Sequence, residues 1–258
     1  MDQFGLYSQY YDLLYQDKNY AGEANYVAQL VRQFAPDTQS ILEFGCGTGI
    51  HAELIARMGF DVCGIERSEE MLKQAVLRSE KLSLEKSARG GFEAHGGDAQ
   101  SFHSEKLFGA VISLFHVVSY QTEWSAVQDF FANAARHLTP GGIFLFDVWY
   151  GPAVLTEKPA VRVKRMQNEH LSVVRTAEPT LLPNENMVRV EYQIFSKQPG
   201  GEVFQSLQET HQMRYFFKPE IVLLAEVNAM KLEHCEEWMS RRPLSDTTWG
   251  ACFVLRKQ

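Results

Sequence analysis

Four groups of residues in this chain have the types and the spacing to do chemistry. The first is Glu43 to Gly49, an acid followed by glycines at alternate positions, Gly45, Gly47 and Gly49. Such glycines let a backbone turn sharply and approach a ligand where a Cβ would collide. A helix predicted over 50–58 would aim its N-terminal amides at whatever lies above that loop. The second is Glu66, about 20 residues past the loop, the distance at which an acid reaches ribose hydroxyls and disfavours a 2′-phosphate. The third is the turn Gly97-Asp98-Ala99, and the fourth is His116, an ionisable imidazole just past an apolar run. The pattern suits a nucleoside-bearing ligand beside an acid–base group. A dinucleotide fingerprint would need its third glycine at position 50, where the chain has Ile50.

The elements that must carry these residues alternate between strand and helix. Apolar spacing predicts a helix over 23–35, ended by Pro36, and a buried strand over 40–44 that runs into the glycine loop. After the helix at 50–58, with Gly59 as its stop, a strand over 61–65 delivers Glu66. Ser68 caps the next helix, which has Glu69 and Glu70 in its first turn and Met71, Leu72, Ala75 and Val76 facing inward. A strand over 91–95 precedes Asp98, and the apolar run 107–114 is a fully buried strand that brings His116 to the carboxyl end of the sheet. A helix over 123–138, with a buried stripe from Trp124 through Val127, Phe130, Phe131 and Ala134 to Leu138, is stopped by residues 139–142 before a strand over 143–148.

Beyond residue 150 the period changes from helical to two. Alternating stretches near 161–166, 170–178, 186–197 and 202–216 are separated by turn signals at Pro179, 182–184 and 199–201, an antiparallel sheet of about four strands. Such an insertion caps a substrate pocket or forms a homodimer surface, and both readings stay open. Pro219 opens a helix, and strands over 230–238 and 249–256 complete the chain. The expected division is 1–150 as an N-terminal lid and core, 151–216 as the inserted β-subdomain, and 217–258 as the last helix and edge hairpin. In the lid, Tyr7, Tyr11 and Tyr15 recur every four residues, and a tyrosine face stabilises a sulfonium or ammonium. Tyr11 and Tyr15 are therefore candidate ligand contacts.

With 258 residues the chain can bury a substantial core, and a formal net charge of −7 with a pI near 5.6 argues against long nucleic acid as a partner. The first residues lack the basic and apolar regions of a signal peptide, and no apolar run is long enough for a membrane span. Cys46, Cys63, Cys235 and Cys252 have no metal spacing and read as buried reduced thiols, so a cytoplasmic protein without a metal site is expected.

The motifs EFGCGTG, DVCGIE, GGDA, LFGAVISLFHV and HLTPGGIFLFDVW occur in the order and spacing of the class I, Rossmann-like S-adenosylmethionine (SAM) methyltransferases, which the chain resembles over about residues 20 to 150. The resemblance implies an α/β fold with a doubly wound, mostly parallel seven-stranded sheet in the order 3-2-1-4-5-7-6, here carrying the inserted antiparallel sheet. It also implies SAM as cofactor, S-adenosylhomocysteine as product, and a cofactor site formed by Glu43, Gly45, Gly47, Gly49, Glu66, Arg67, Met71, Asp98, Ala99 and Leu114. Asp98 would accept from the adenine amino group. The segment YSQYYDLLYQDKNY, LFHVVSY and the strand-rich insertion resemble the small-molecule branch that includes nucleotide-linked amino-sugar N-methyltransferases. There, N-terminal tyrosines lie over the methionine group, here Tyr11 and Tyr15. His116 is then the candidate base, and Lys158, Arg162, Lys164 and Arg165 are candidate partners of a pyrophosphate. A hydroxyl or a protein acceptor, and a non-catalytic use of the fold as a binding scaffold, are the competing readings. A flipped-base methyltransferase would carry an Asn-Pro-Pro-Tyr type motif where LFHV stands.

Overall fold

The computed structural model describes residues 13–15, 17–85, 87–198, 201 and 205–258. Strand β1 (Ser40–Phe44) lies parallel between β2 (Asp61–Glu66) and β4 (Phe108–Ser113). Outside β2 runs β3 (Phe92–Gly96), and outside β4 runs β5 (Leu138–Tyr150), both parallel to their neighbours. The last strands of the chain, β10 (Met230–Glu237) and β11 (Gly250–Lys257), pair with each other antiparallel, and β11 pairs antiparallel with β5. The core order β3-β2-β1-β4-β5-β11-β10 is the expected seven-strand arrangement.

Both faces of the sheet's centre are covered, which explains why β4 and the second half of β5 read as nearly unbroken apolar runs. Alternate residues go to opposite cores: Phe44, Phe144, Phe146 and Phe253 to one, Ile41, Ile112, Leu145 and Val254 to the other. The first face is packed by α4 (Trp124–His137) and α6 (Lys218–Val227), through Phe130, Phe131, Ile221 and Leu224. The second is packed by α1 (Tyr20–Phe34) and α2 (Ile50–Arg57), through Val27, Leu30, Ala52 and Ile55, with Ala75 of α3 (Glu69–Ser83) at its edge. Among the described residues no helix is long and apolar enough to cross a membrane.

Strands β6 (Arg162–Gln167), β7 (Ser172–Leu182), β8 (Met187–Lys197) and β9 (Gln205–Phe216) form an antiparallel meander after the short helix α5 (Gly151–Thr156). It joins the main sheet at one corner, where Trp149 and Tyr150 of β5 pair in parallel with Tyr215 and Phe216, so the eleven strands among the described residues form one continuous sheet.

Local expectations fail at three places. Pro179 does not end a strand; it sits inside β7 opposite Val190. The pairing of β7 with β6 stops at Ala177, so the side of β7 that a proline cannot serve is open there. Residues 139–142 do not separate α4 from a strand; β5 starts at Leu138 and absorbs them as a bulge, with Phe108 opposite Leu138 and Ala110 opposite Ile143. Trp124 is 43% exposed, with the Arg214 guanidinium 5.3 Å from its ring centre, rather than part of the buried stripe.

The phenol of Tyr26 ties α1 to β10 by donating to Glu236 Oε1 at 2.6 Å, and Glu236 is only 5% exposed. Burial, followed by the neighbouring Cys252 and Glu236, pushes that phenol far above its usual range. Tyr26→Phe leaves a buried carboxylate oxygen short of a donor. It should cost about 1–3 kcal/mol, and a thermal melt should show a midpoint lower by several degrees.

Candidate active site

A cavity of about 960 Å³ opens at the carboxyl ends of β1, β2 and β4. Its floor is the glycine loop. Gly47 has φ +58° and faces open space, the nearest atom to a Cβ there being the Met71 sulfur at 4.0 Å, so this position leaves room for a ligand. Gly45 also lines the cavity, whereas Gly49 does not. Gly49 caps α2 with φ +79°, and a Cβ on it would strike Phe92 Cε1 at 2.7 Å, so packing and backbone conformation explain that glycine.

Glu66, at the end of β2, accepts from the Gly47 amide through Oε2 at 2.9 Å and from the Ser68 amide through Oε1 at 2.7 Å. Each carboxylate oxygen keeps a further lone pair for a hydroxyl donor. Glu43 also lines the cavity, 1% exposed, and its Oε2 has no hydrogen-bond partner among the described residues. Burial, and then the charge of Glu66, push its carboxyl up to about 8. An orphaned buried acceptor over an open glycine loop fits a nucleoside ligand with a cationic end, which is what SAM offers.

Arg67, Met71, Asp98, Ala99 and Leu114 line the same cavity. Asp98 is also a turn residue: its Oδ1 accepts from the Gln100 amide at 2.8 Å. The Ala99 carbonyl accepts from the buried Asn133 amide at 2.8 Å, which fixes the wall at that point.

Phe115 and His116 follow β4 with φ +64° and +61°, two consecutive left-handed conformations in residues that rarely adopt them. Strain of this kind persists only where the surroundings hold it. The holder here is Asp147 on β5, 1% exposed, whose two oxygens lie 3.3 and 3.2 Å from the His116 amide. The same carboxylate comes within 2.6 Å of the His116 ring at Nδ1, an ion-pair contact bent away from an in-line hydrogen bond. This commits Nδ1 to Asp147 and leaves Nε2 as the ring nitrogen able to exchange a proton elsewhere.

The roof was not legible residue by residue. Tyr15 lies in the cavity wall, its ring edge-on to Phe115 with 5.1 Å between centres, and its phenol is raised chiefly by burial, with Arg175 opposing. Tyr7, Tyr10 and Tyr11 lie outside the described residues. The inner face of the meander is apolar at Met166, Val173, Val190, Ile194 and Met213, with a polar patch set among them. Register places Arg162, Ala177, Tyr192 and Glu209 in one row across the four strands. The Arg175 guanidinium sits 4.6 Å over the Tyr192 ring, and the Tyr120 hydroxyl and His211 Nδ1 are 2.9 Å apart. Arg162, Arg175, Tyr192, Glu209 and His211 all line the cavity; Lys158, Lys164 and Arg165 do not, and the Lys164 ammonium donates to the Leu14 carbonyl at 2.6 Å. Sequence reasoning missed Asp147, Arg175, Tyr192 and His211. A charged residue inside the apolar run IFLFDVW was the signal available for Asp147.

Residues 19–178 match the family model described as a methyltransferase domain. A dTDP-3-amino-3,4,6-trideoxy-alpha-D-glucopyranose N,N-dimethyltransferase of Streptomyces venezuelae is 29% identical over 236 residues, 91% of this chain and 94% of the relative. The crystal structure of DesVI from Streptomyces venezuelae superposes with a TM-score of 0.77 at 27% identity, covering 100% of this chain and 99% of that one. SAM-bound CalS10 from Micromonospora echinaspora, an amino pentose methyltransferase involved in calicheamicin biosynthesis, gives a TM-score of 0.76 at 24% identity over 98% of this chain and 97% of its own, a likeness of fold.

Two substitutions separate the loop's packing from its binding. Gly49→Ala should cost about 1–3 kcal/mol through overpacking and a disfavoured backbone, read as a lower melting temperature. Glu66→Ala should weaken SAM binding by tenfold or more in calorimetry while the circular dichroism spectrum stays unchanged; an undiminished affinity would remove Glu66 from the ligand site.

Proposed function

The chain belongs to the methyltransferase-domain family and uses SAM, and from that premise we propose that it methylates the amine of a nucleotide-linked amino sugar. The cavity wall carries this reading: two guanidinium groups, Arg162 and Arg175, line the same cavity as His116, whose ring Asp147 contacts. Arginine forks suit a diphosphate, and a candidate base in the same cavity suits a substrate that joins an anionic handle to a nucleophile. The relative from Streptomyces venezuelae, whose name specifies a dTDP-amino sugar and N,N-dimethylation, aligns through the meander as well as through the cofactor half.

SAM supplies a methyl group already activated by its sulfonium, so the chain's work is alignment, exclusion of water and removal of a proton. In this reading Glu43, Gly45, Gly47, Glu66, Arg67, Met71, Asp98, Ala99 and Leu114 hold the cofactor, with Tyr15 and Tyr11 over its methionine end. Residues 151–216 act as the substrate cap. His116 Nε2 takes the ammonium proton of the substrate, and Asp147 holds the ring and balances its charge. The new N–C bond forms as the C–S bond breaks with its electron pair left on sulfur, and the methylated ammonium must lose a proton before a second transfer. The acceptor is a small molecule of the cytoplasm; the chain's net charge of −7 does not suit nucleic acid.

A second reading, O-methylation, draws on the same His116–Asp147 pair, because a hydroxyl gains more from a base than a free amine does. The test is to supply the protein with SAM and a dTDP-linked amino sugar, then measure S-adenosylhomocysteine and the mass of the sugar product. One or two added methyl groups on nitrogen are expected. Methylation of a hydroxyl analogue with none of the amine would replace this reading with the second.

Two variants check the roles. His116→Ala should lower kcat by about 100-fold with little change in SAM affinity. Arg175→Ala should raise KM for the nucleotide-linked sugar several-fold and leave KM for the free amino sugar unchanged, which steady-state kinetics on both substrates would show.

A further inference from the structure

Glu43 is a cavity acid with no hydrogen-bond donor to its Oε2 among the described residues. It stands at the end of β1, 1% exposed, with Oε2 lacking any hydrogen-bond partner among the described residues. The adjacent strand end adds Glu66, whose oxygens are engaged by the Gly47 and Ser68 amides and whose negative charge acts on Glu43. On the loop, Cys46 is a buried thiol held neutral by burial and then by the Glu43 and Glu66 charges. Among the described residues, the remaining titratable and charged groups around the cavity are His51 on α2, Tyr20 at the start of α1, Arg67 and Glu70 by α3, Asp98 after β3, His116 and Tyr120 after β4, and Tyr15, Arg162, Arg175, Tyr192, Glu209 and His211 in the roof. His51 is already engaged by Glu23 at 2.8 Å and His116 by Asp147, so neither imidazole is the missing counter-charge for Glu43.

We propose that Glu43 carries a proton in the ligand-free cavity and gives it up when the cationic end of the cofactor binds, so that cofactor uptake releases about one proton per chain. The orphaned oxygen is the geometric reason: a buried carboxylate with no donor is costly, a protonated one much less so, and a bound cation reverses the balance. The second carboxylate beside it, Glu66, adds negative potential, which acts in the same direction. The sign follows from linkage. A group protonated before binding and ionised after it makes affinity rise with pH, by at most about tenfold per unit for a single proton. That rise must flatten above about pH 8, where burial and Glu66 place the empty-site carboxyl.

The inference rests on SAM being the cofactor and concerns binding alone, so it can be read without turnover. Calorimetric titration of the full chain with SAM at pH 7, in buffers of different ionisation enthalpy, gives the number of protons released as the slope of the observed enthalpy. A slope near one proton for the native chain and near zero for Glu43→Gln upholds the proposal, with SAM affinity of the native chain climbing between pH 6 and 8 and that of the variant staying nearly level. Measuring the variant against the native chain subtracts protons from the histidines, the other acids and the ligand itself. A zero slope in the native chain with clear binding heat overturns the proposal, and so does an undiminished slope in Glu43→Gln. The native series needs no variant, so a misfolded Glu43→Gln would not rescue a failed slope. Repeating the titration with S-adenosylhomocysteine identifies the cation: equal release points to the ammonium that both ligands share, and release with SAM alone points to the sulfonium. Absence of any binding would remove the cofactor and the proposal together.

Discussion

The carboxylate of Glu66 joins the two loops from which the cavity floor is built. One oxygen accepts from the Gly47 amide and the other from the Ser68 amide, so the glycine loop after β1 and the turn into α3 are held as one surface. Hydrogen bonds to a charged acceptor are worth about 1.5–3 kcal/mol each, enough to hold a loop whose glycines would otherwise explore many conformations. The pairing of β1 with β2 puts Phe44 opposite Ile65 and brings the two loops level. The glycine loop and the turn bearing Glu66 inherit their relative position from that register.

A second buried acid holds the turn after β4 as Glu66 holds the loops after β1 and β2. Asp147 lies on β5, across β4, and its carboxylate reaches both the amide and the ring of His116. The left-handed pair Phe115–His116 is tolerable because this contact, together with Tyr15 against Phe115, over-determines it. The third acid, Glu43, is the exception: its Oε2 has no hydrogen-bond partner among the described residues.

The meander reaches the cavity because of a short parallel contact, Trp149 with Tyr215 and Tyr150 with Phe216, that pins β9 to the end of β5. From that corner the antiparallel register carries Glu209, Tyr192 and Arg162 across the roof, while Lys164 and Arg165, though adjacent in sequence to Arg162, are committed elsewhere or turned away. The Tyr120–His211 contact ties this roof to the turn that follows His116. A wall built this way is polar only where strand alternation and register coincide, which is why its members are scattered over fifty residues of chain.

Most of the core was legible because its signals are local. Apolar runs, a capping serine at Ser68, the glycine loop and the acid at the end of β2 each report on a few neighbouring residues, and the seven-strand order followed once they stood in sequence. Glu43, Gly45, Gly47, Glu66, Asp98 and His116 were readable for the same reason: each sits where a strand ends, and strand ends in such a sheet face one edge. What only the tertiary structure decided depends on long-range register. Period-2 alternation announces a strand but not which face meets the cavity, so Arg175, Tyr192 and His211 were invisible while Lys158 and Arg165 looked equally suitable. Asp147 carried no reading of its own until β4 and β5 were paired, and Pro179 read as a turn until the neighbouring strand was seen to stop short of it. Gly49 shared a motif with Gly47 yet answers to Phe92 rather than to a ligand, because a side chain's surroundings come from distant segments brought together by folding and not from its neighbours along the chain.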